Sequence, residues 1–302
     1  MNITFRQLRL FLALADTGSV SRAARECHVT QPTASMQLKD VSDAVGVPLY
    51  EVIARRVHLT DAGRDLASAA RSIADEWAAF EQRMDATKGL TRGKLRVAVV
   101  STAKYFVPRL LGTFCARYPD IDISLEVLNR DGVVQRLREN RDDLYIMSTP
   151  PTDIDLEDQV FMPNPLVVIA ANSHPLVGRA RLRLKDLAGQ RFILRERGSG
   201  TRMAIDAYFK RAGFKANLRL ELGSNEAIKE AVAGNLGVSV ISSHALHGQA
   251  AEHGVSVLDV AGFPIKSNWH VVRQKRKRLS PIARVFQEHL LVQSGKLARP
   301  ES

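Results

Sequence analysis

The sequence predicts two kinds of fold in series. An all-α N-terminal helix-turn-helix with a wing comes first, then a long linker helix, then an α/β region. Three patterns point to this. Short capped amphipathic helices crowd residues 5–45, an apolar heptad repeat runs through residues 61–87, and strand and helix patterns alternate from Lys94 onward.

The first helix, Arg6 to Asp16, carries Leu8, Phe11, Leu12 and Ala15 at helical spacing and stops at Thr17-Gly18. Ser19 is placed to cap the second helix, with Val20, Ala23 and Ala24 facing inward, small enough for helices to cross closely. That helix ends at Cys27-His28, and Val29 plugs the turn. Thr30 caps a third helix from Gln31 to Val45, and Pro32 lies in its first turn, where a missing N–H costs nothing. Ala34, Leu38, Val41 and Val45 form its buried stripe, while Gln31, Thr33, Ser35, Met36 and Lys39 mark its exposed N-terminal end. A polar helix N-terminus on a rigid three-helix base is what reading the DNA major groove needs. The alternative is a small helical bundle of no special purpose; caps, small residues and polar face together favour DNA.

Thr60 caps the long helix, and Asp61 suits its positive end. Leu66, Ala70, Ile73, Trp77, Phe80 and Met84 step by fours and threes, a heptad seam flanked by charged residues. The helix could instead pack on its own domain, but so short a head has little surface for a Trp, a Phe and a Met in one stripe. A homodimer seam is therefore expected, placing two reading heads about 34 Å apart or a multiple of that. Gly89 to Gly93 is expected to end the helix as a hinge.

Strands are expected at 95–100, 121–127, 143–147, 166–170, 192–194, 217–222 and 238–241, after which the chain returns through 256–260, 262–265 and 269–272 to a last helix. Helices are expected at 105–118, 132–140, 184–188, 201–212, 225–233 and 281–292. Such alternation predicts a mainly parallel sheet. The stretches 161–165 and 263–268 read as two crossings between lobes.

In such folds a cleft is lined by loops at strand carboxyl ends and by helix N-termini. Four junctions carry residues suited to a small anion: Ser101, Thr102 and Lys104; Asn129 and Arg130; Arg195, Ser199, Thr201 and Arg202; and Ser224, Asn225 and Glu226. Each alone is more often a plain helix cap; their convergence favours an anionic, phosphorylated ligand.

A net charge of +11 and a pI near 9.9 suit a polyanionic partner, although Asp16, Glu26, Asp40, Asp43 and Glu51 offset much of the charge in the head. No apolar run approaches the roughly 20 residues of a membrane span, and no signal-peptide pattern opens the chain, so a cytoplasmic protein with no membrane association is expected. Cys27 and Cys115 form neither a metal nor a redox spacing, and the histidines show no ligand pairing, so neither metal nor cofactor is expected. An enzyme is disfavoured: no nucleophile elbow, Walker loop or full dinucleotide fingerprint appears, and Ser199 has no assigned base. A transport receptor would need export and no DNA-binding head. The run Arg273, Lys275, Arg276, Lys277 and Arg278 reads as a solvated loop rather than a second nucleic-acid patch.

The motifs "RQLRLFLALADTGSVSRAA", "VTQPTASMQL", "GVPLY" and "RRVHLTDAG" resemble the N-terminal pattern of LysR-type transcriptional regulators, and the resemblance continues to the C-terminus. It implies a winged helix-turn-helix over 1–60, a dimerising linker helix and hinge over 61–92, and a two-lobed periplasmic-binding-protein-like effector domain over 93–302. Lobe I is expected at about 93–164 and 267–302, and lobe II at about 165–266. DNA contacts are implied for Ser19, Gln31, Pro32, Thr33, Ser35, Met36, Lys39, Arg55 and Arg56, with Arg55 matching the arginine that reaches the minor groove in the family. Two places depart from the pattern: Val41-Ser42 stands where Leu-Glu is usual, and Val52 where the wing has Arg. Losing one phosphate contact would flatten the log–log salt slope by about one unit. "VSTAKYFVPRLLGTF", "LNRDG", "DDLYIMSTPP", "NPLVVIA", "ILRERGSGTR", "LGSNEAIKEAVAGNLGVSVIS" and "KRKRLSP" are similar to the Calvin-cycle (CbbR/CmpR-like) carbon-fixation regulator branch. That implies a phosphorylated metabolite as effector, with a sulfur oxyanion or carboxylate as alternatives. It also implies a pseudo-palindromic promoter site on double-stranded DNA, a dimer of dimers (a homotetramer), and control of access by RNA polymerase.

Overall fold

The computed structural model describes residues 2–54, 56–87, 93–246 and 250–297. By backbone contact it divides into two compact units. The first is Met1–Leu90 with Arg138–Arg141 and Lys277–Pro281; the second is Thr91–Leu137, Asp142–Arg276 and Ile282–Ser302.

The head holds α1 (Phe5–Thr17), α2 (Val20–Glu26), α3 (Gln31–Val45) and a hairpin of β1 (Tyr50–Ile53) and β2 (Arg56–Leu59). A capping box starts α1: Thr4 Oγ1 accepts from the Gln7 N–H, and Gln7 Oε1 accepts from the Thr4 N–H. Its buried stripe is Leu10, Phe11 and Leu14, while Leu8, Leu12 and Ala15 lie half-buried at its edges. The stripe is shifted because α1 packs on α2, α3 and the long helix together. Ser19 precedes α2 but makes no side-chain cap bond. Thr17 closes that turn instead, its hydroxyl donating to Ala13 O at 2.7 Å and accepting from the Ser19 N–H at 3.3 Å.

The long helix α4 (Asp61–Thr87) is capped by Thr60, whose hydroxyl accepts from the Gly63 N–H at 3.1 Å. A Cβ at Gly63 would sit 1.9 Å from Leu49 O, so only glycine lets the helix lie this close to the hairpin. The apolar stripe divides along α4. Leu66 packs on the head core and Ala70 is buried, whereas Ile73, Trp77, Phe80 and Met84 remain 49, 52, 43 and 43% exposed, although Trp77 rests against Phe5 of α1 with ring centroids 5.9 Å apart. The expected hinge residues 89–92 lie outside the described residues.

Lys277, in the run expected to be a solvated loop, is buried. Its ammonium donates to Asp75 Oδ2 at 2.8 Å and to Asn140 Oδ1 at 3.0 Å, its side chain only 5% exposed. The tertiary fold supplies a carboxylate that the local sequence could not reveal, and a buried ammonium persists only when paired. Arg273 pairs with Glu157, and Lys275 with Asp155.

In chain order the second unit runs β3 (Gly93–Val100), α5 (Val107–Arg117), β4 (Ile121–Leu128), α6 (Arg130–Arg138), β5 (Leu144–Met147), β6 (Leu156–Pro163), β7 (Leu166–Ala171), β8 (Arg191–Arg195), α7 (Gly200–Arg211), β9 (Asn217–Leu222), α8 (Asn225–Ala233), β10 (Val238–Ser242), β11 (Val255–Leu258), β12 (Asn268–Gln274) and α9 (Pro281–Leu297). Single-turn 3-10 helices lie at Ser101–Tyr105, Leu184–Leu187, Ser243–Leu246 and Ala250–His253. Two five-stranded sheets result, β4-β3-β5-β12-β6 and β11-β7-β10-β8-β9.

Both sheets are mixed rather than mainly parallel. The pairs β3/β4, β3/β5, β8/β9 and β8/β10 are parallel, while β5/β12, β6/β12, β7/β10 and β7/β11 are antiparallel. The return strands β11 and β12, the unexpected strand β6 and the antiparallel run of β7 beside β10 make the difference. Strand β6 is an edge strand whose residues 157–160 are polar or exposed, so it lacks the apolar alternation that flags a half-buried strand. Residues 262–265 form only an isolated bridge, Leu166 to Ile265. The helix expected from Tyr105 is divided: a 3-10 turn ends at Tyr105 and α5 restarts at Val107, with Pro108 in its first turn. The two crossings pair side by side: the Asn164 N–H donates to Ser267 O at 2.8 Å, and the Leu166 N–H to Ile265 O at 3.0 Å.

Candidate functional site

Two regions gather the residues singled out in the sequence. The first is the start of α3. Thr30 Oγ1 accepts from the Thr33 N–H, and Pro32 sits in the opening turn. Gln31, Pro32, Met36 and Lys39 are exposed; Thr33 and Ser35 are half-buried. Gln31 Nε2 donates to Ser35 Oγ at 3.1 Å, which orders the amide over the first turn. Met36 is 59% exposed, unusual for so large an apolar side chain beside three buried neighbours on the same helix, Ala34, Leu38 and Val41. Arg56 is exposed at the start of β2, next to Ala54 in a left-handed turn conformation (φ 49°). Ser19 is half-buried before α2, and Arg55 lies outside the described residues.

The second region lies in the α/β unit, where the carboxyl ends of β3 and β8 meet the N-terminus of α8. Arg195 ends β8 and is 2% exposed. Glu196 neutralises it through two bonds, Nε to Oε2 at 2.8 Å and Nη2 to Oε1 at 2.9 Å. The rest of the guanidinium crosses to the other sheet: Nη2 donates to Ser101 Oγ at 3.1 Å and Nη1 to Thr102 Oγ1 at 3.4 Å. Nη1 also donates to Asn225 Oδ1 at 3.2 Å, while Asn225 Nδ2 donates to Thr102 Oγ1 at 3.1 Å. Thr102 Oγ1 is thus an acceptor twice, and its own proton is left to donate.

A second tie crosses the same gap. Lys104 Nζ donates to Glu226 Oε2 at 2.9 Å, and the Tyr105 hydroxyl donates to Glu226 Oε1. Partial burial works against the Glu226 carboxylate, but the bonds from Tyr105 and Lys104 outweigh it and hold its carboxyl down at about 2. Burial first, then the bond to Glu226, pushes the Tyr105 phenol well above its usual range, so it stays a proton donor. Two ammonium groups flank the Tyr105 ring, Lys104 Nζ at 5.3 Å and Lys229 Nζ at 5.8 Å from its centroid.

Farther along, the N-terminus of α7 approaches the end of β5. A Cβ on Gly200 would lie 3.0 Å from Ser148 Oγ and 3.2 Å from Thr149 Oγ1, and one on Gly198 would lie 2.5 Å from Asp131 Oδ2. Thr149 Oγ1 donates to Gly200 O at 3.5 Å, and Arg130 Nε donates to Thr149 O at 2.7 Å. Ser199 and Thr201 are buried in this junction. Sequence reasoning passed over Ser148 and Thr149. Their signals were two hydroxyls directly after a buried strand and their place in the motif "DDLYIMSTPP".

The remaining candidates have local duties. Asn129 Oδ1 accepts from the Gly132 N–H at 2.9 Å, and Ser224 Oγ accepts from the Ala227 N–H at 3.1 Å as the cap of α8. Arg202 is fully engaged within its own lobe, by Asp206, Glu221 and Arg195 O. Among the described residues no group of His, Cys, Asp and Glu side chains could hold a metal ion, and no helix is long and apolar enough to cross a membrane.

The family model described as the bacterial regulatory helix-turn-helix protein, lysR family, matches residues 5–64, and that described as the LysR substrate binding domain matches residues 88–294. The chain is 44% identical to the HTH-type transcriptional activator CmpR of Synechocystis sp., over 96% of this chain and 95% of that one. It is 42% identical to a RuBisCO operon transcriptional regulator of Acidithiobacillus ferrooxidans, over 97% and 94%. Among solved structures, the CcmR regulatory domain of Synechocystis PCC6803 in complex with 2-PG matches at 48% identity and a TM-score of 0.65, over 67% of this chain and 98% of that one. Full-length CbnR with its target DNA shares the fold, with a TM-score of 0.66 over 97% of this chain and 100% of that one, at 24% identity. The helix-turn-helix head and the two-sheet α/β unit, carried on a chain so similar to these regulators, make this protein a member of the LysR family of transcriptional regulators, in its CbbR/CmpR branch.

Proposed function

We propose that the protein binds a pseudo-palindromic promoter site as a paired or tetrameric regulator and that a small phosphorylated acid in the α/β cleft sets its activity. The observation that carries the effector reading is the Arg195–Thr102–Asn225–Ser101 junction, a buried polar assembly joining both sheets. It offers hydroxyl and amide donors beside Lys104, the chemistry a phosphoryl or carboxylate group needs. The 48% identical CcmR domain bound to 2-PG (2-phosphoglycolate) supports the same ligand class here.

In the head, Gln31, Pro32, Thr33, Ser35, Met36 and Lys39 present to the major groove, while Ser19, Arg55 and Arg56 reach backbone or minor groove. The exposed Ile73, Trp77, Phe80 and Met84 stripe pairs two α4 helices. Ligand-dependent lobe closure then alters head spacing, and with it DNA bending and RNA polymerase access in the cytoplasm; a coupling of about 1–3 kcal/mol suffices for a roughly 5–150-fold change in affinity.

Thermal shift of the full chain against phosphorylated acids and sugars, sulfite, sulfate and simple carboxylates tests the ligand class. Ligand at about 100 times its Kd stabilises by about 2.7 kcal/mol. A selective phosphorylated hit supports the reading. A selective sulfite or carboxylate hit moves the effector to another anion class, and no hit at all removes the effector argument.

A further inference from the structure

The carboxylate of Glu226 already occupies the place on Lys104 that an anionic ligand in this cleft would want. We propose that Glu226 is an internal competitor: it holds Lys104 and Tyr105 across the gap until an incoming anion displaces it, so that effector binding is an exchange of one anion for another. This rests on the effector reading above and adds the residue that sets its threshold.

The geometry supports exchange rather than addition. Lys104 and Tyr105 follow β3 in one sheet, and Glu226 opens α8 beside the other, so the Lys104–Glu226 and Tyr105–Glu226 bonds tie the two sheets directly. Asn225, next to Glu226, belongs to the Arg195 junction, so tie and junction are contiguous. The charges are nearly matched: Arg195 is balanced by Glu196 and Lys104 by Glu226, while buried Lys229 donates to Ala245 O and lies 5.8 Å from the Tyr105 ring centroid. A dianionic phosphoryl group added beside an unmoved Glu226 would meet a like charge within a few ångströms, which disfavours both. Yet the Lys104–Glu226 pair is open to exchange, its side chains 38 and 47% exposed, so Glu226 has solvent to swing into. A phosphoryl group carries up to about twice the charge of the carboxylate it replaces and accepts in more directions. The exchange therefore favours dianions over simple carboxylates and breaks the existing tie as it forms a new one.

Glu226→Gln is the test, because the amide keeps an acceptor for Tyr105 but gives up the charge. Isothermal titration of full-length wild type and variant with 2-phosphoglycolate, and with inorganic phosphate as the minimal probe, should show the variant binding about 3- to 10-fold tighter, the scale of a partly exposed charge pair. In a Lys104→Met background the same substitution should bring no gain. Tyr105→Phe, which loosens Glu226 without touching any charge, should tighten binding in the same direction and by less, and serves if Glu226→Gln does not fold. Binding by wild type with Glu226→Gln equal or weaker overturns the exchange and leaves the effector reading standing. Failure of both proteins to bind either probe overturns both, because removing the competitor should expose the seat.

Discussion

Replacing Arg195 by Met removes the guanidinium that joins the two sheets while keeping most of the stem's volume. Glu196, 22% exposed, loses both of its bonds, and Ser101 Oγ, Thr102 Oγ1 and Asn225 Oδ1 each lose a donor. Only the Asn225-to-Thr102 bond survives. Breaking a buried ion pair from one side costs about 3–5 kcal/mol, because the remaining charge stays desolvated. At about 2–4 °C per kcal/mol for a unit of this size, the melting temperature of the α/β unit should fall by about 6–20 °C. Differential scanning calorimetry of the full chain, with circular dichroism to confirm native secondary structure at 20 °C, reads the shift. Arg195→Lys, which keeps the charge but not the planar fork, should recover less than half of it. A melting temperature within about 2 °C of wild type for Arg195→Met would mean the junction is not a structural tie, and the reasoning that makes it the base of the cleft would fail.

Lys277→Met should destabilise the first unit by up to about 3–5 kcal/mol by taking the ammonium from Asp75, 13% exposed, which keeps the bond from Asn140 Nδ2; the pair Lys277→Met with Asp75→Leu should recover most of that loss in a double-mutant cycle, read by chemical unfolding. Trp77→Ala, by removing a half-exposed indole from each of the two α4 helices proposed to pair, should weaken self-association by about 2 kcal/mol, roughly thirtyfold in sedimentation equilibrium. An unchanged association constant would assign the stripe to something other than a dimer seam. Gln31→Ala with Ser35→Ala should abolish sequence-selective DNA binding in an anisotropy titration while leaving the ligand-induced thermal shift intact. Acid should act in two stages. Burial lowers His244, and likewise His289, below the ordinary 6.5, so the unfolded state binds more protons there and stability present above that pH falls as pH drops through it. The Glu226 carboxyl, held at about 2 against an ordinary 4.5, contributes stability that is full above 4.5 and lost as pH falls toward 2. A melting temperature that is flat from pH 7 to 5 would contradict the first stage, as would His244→Asn with His289→Asn leaving the slope unchanged.

By itself the sequence determined the order of folds and the polar first turn of α3. Both are written in local signals: Thr30 and Thr60 as caps, Pro32 in a first turn, and apolar spacing that changes from helical to strand-like near Lys94. It also placed Ser101, Thr102, Arg195 and Asn225 at strand ends and helix starts, because a strand followed by a helix puts its loop at the same edge every time. Which of them meet was decided only by the tertiary structure. The Arg195 bonds span 93 and 94 residues to Thr102 and Ser101, and 30 to Asn225, distances over which no periodicity carries information. The same holds for Lys277 and Asp75, 202 residues apart: a basic run looks solvated until the fold brings a carboxylate to it. The edge strand β6 was invisible for the opposite reason. Its hydrogen bonds to β12 make it a strand, while its exposed face removes the alternation by which strands are read. Glu226 shows the same division: its place at the start of α8 was legible as a cap-region acid, but its role opposite Lys104 and Tyr105 exists only because two sheets, built from separate parts of the chain, face one another across a cleft.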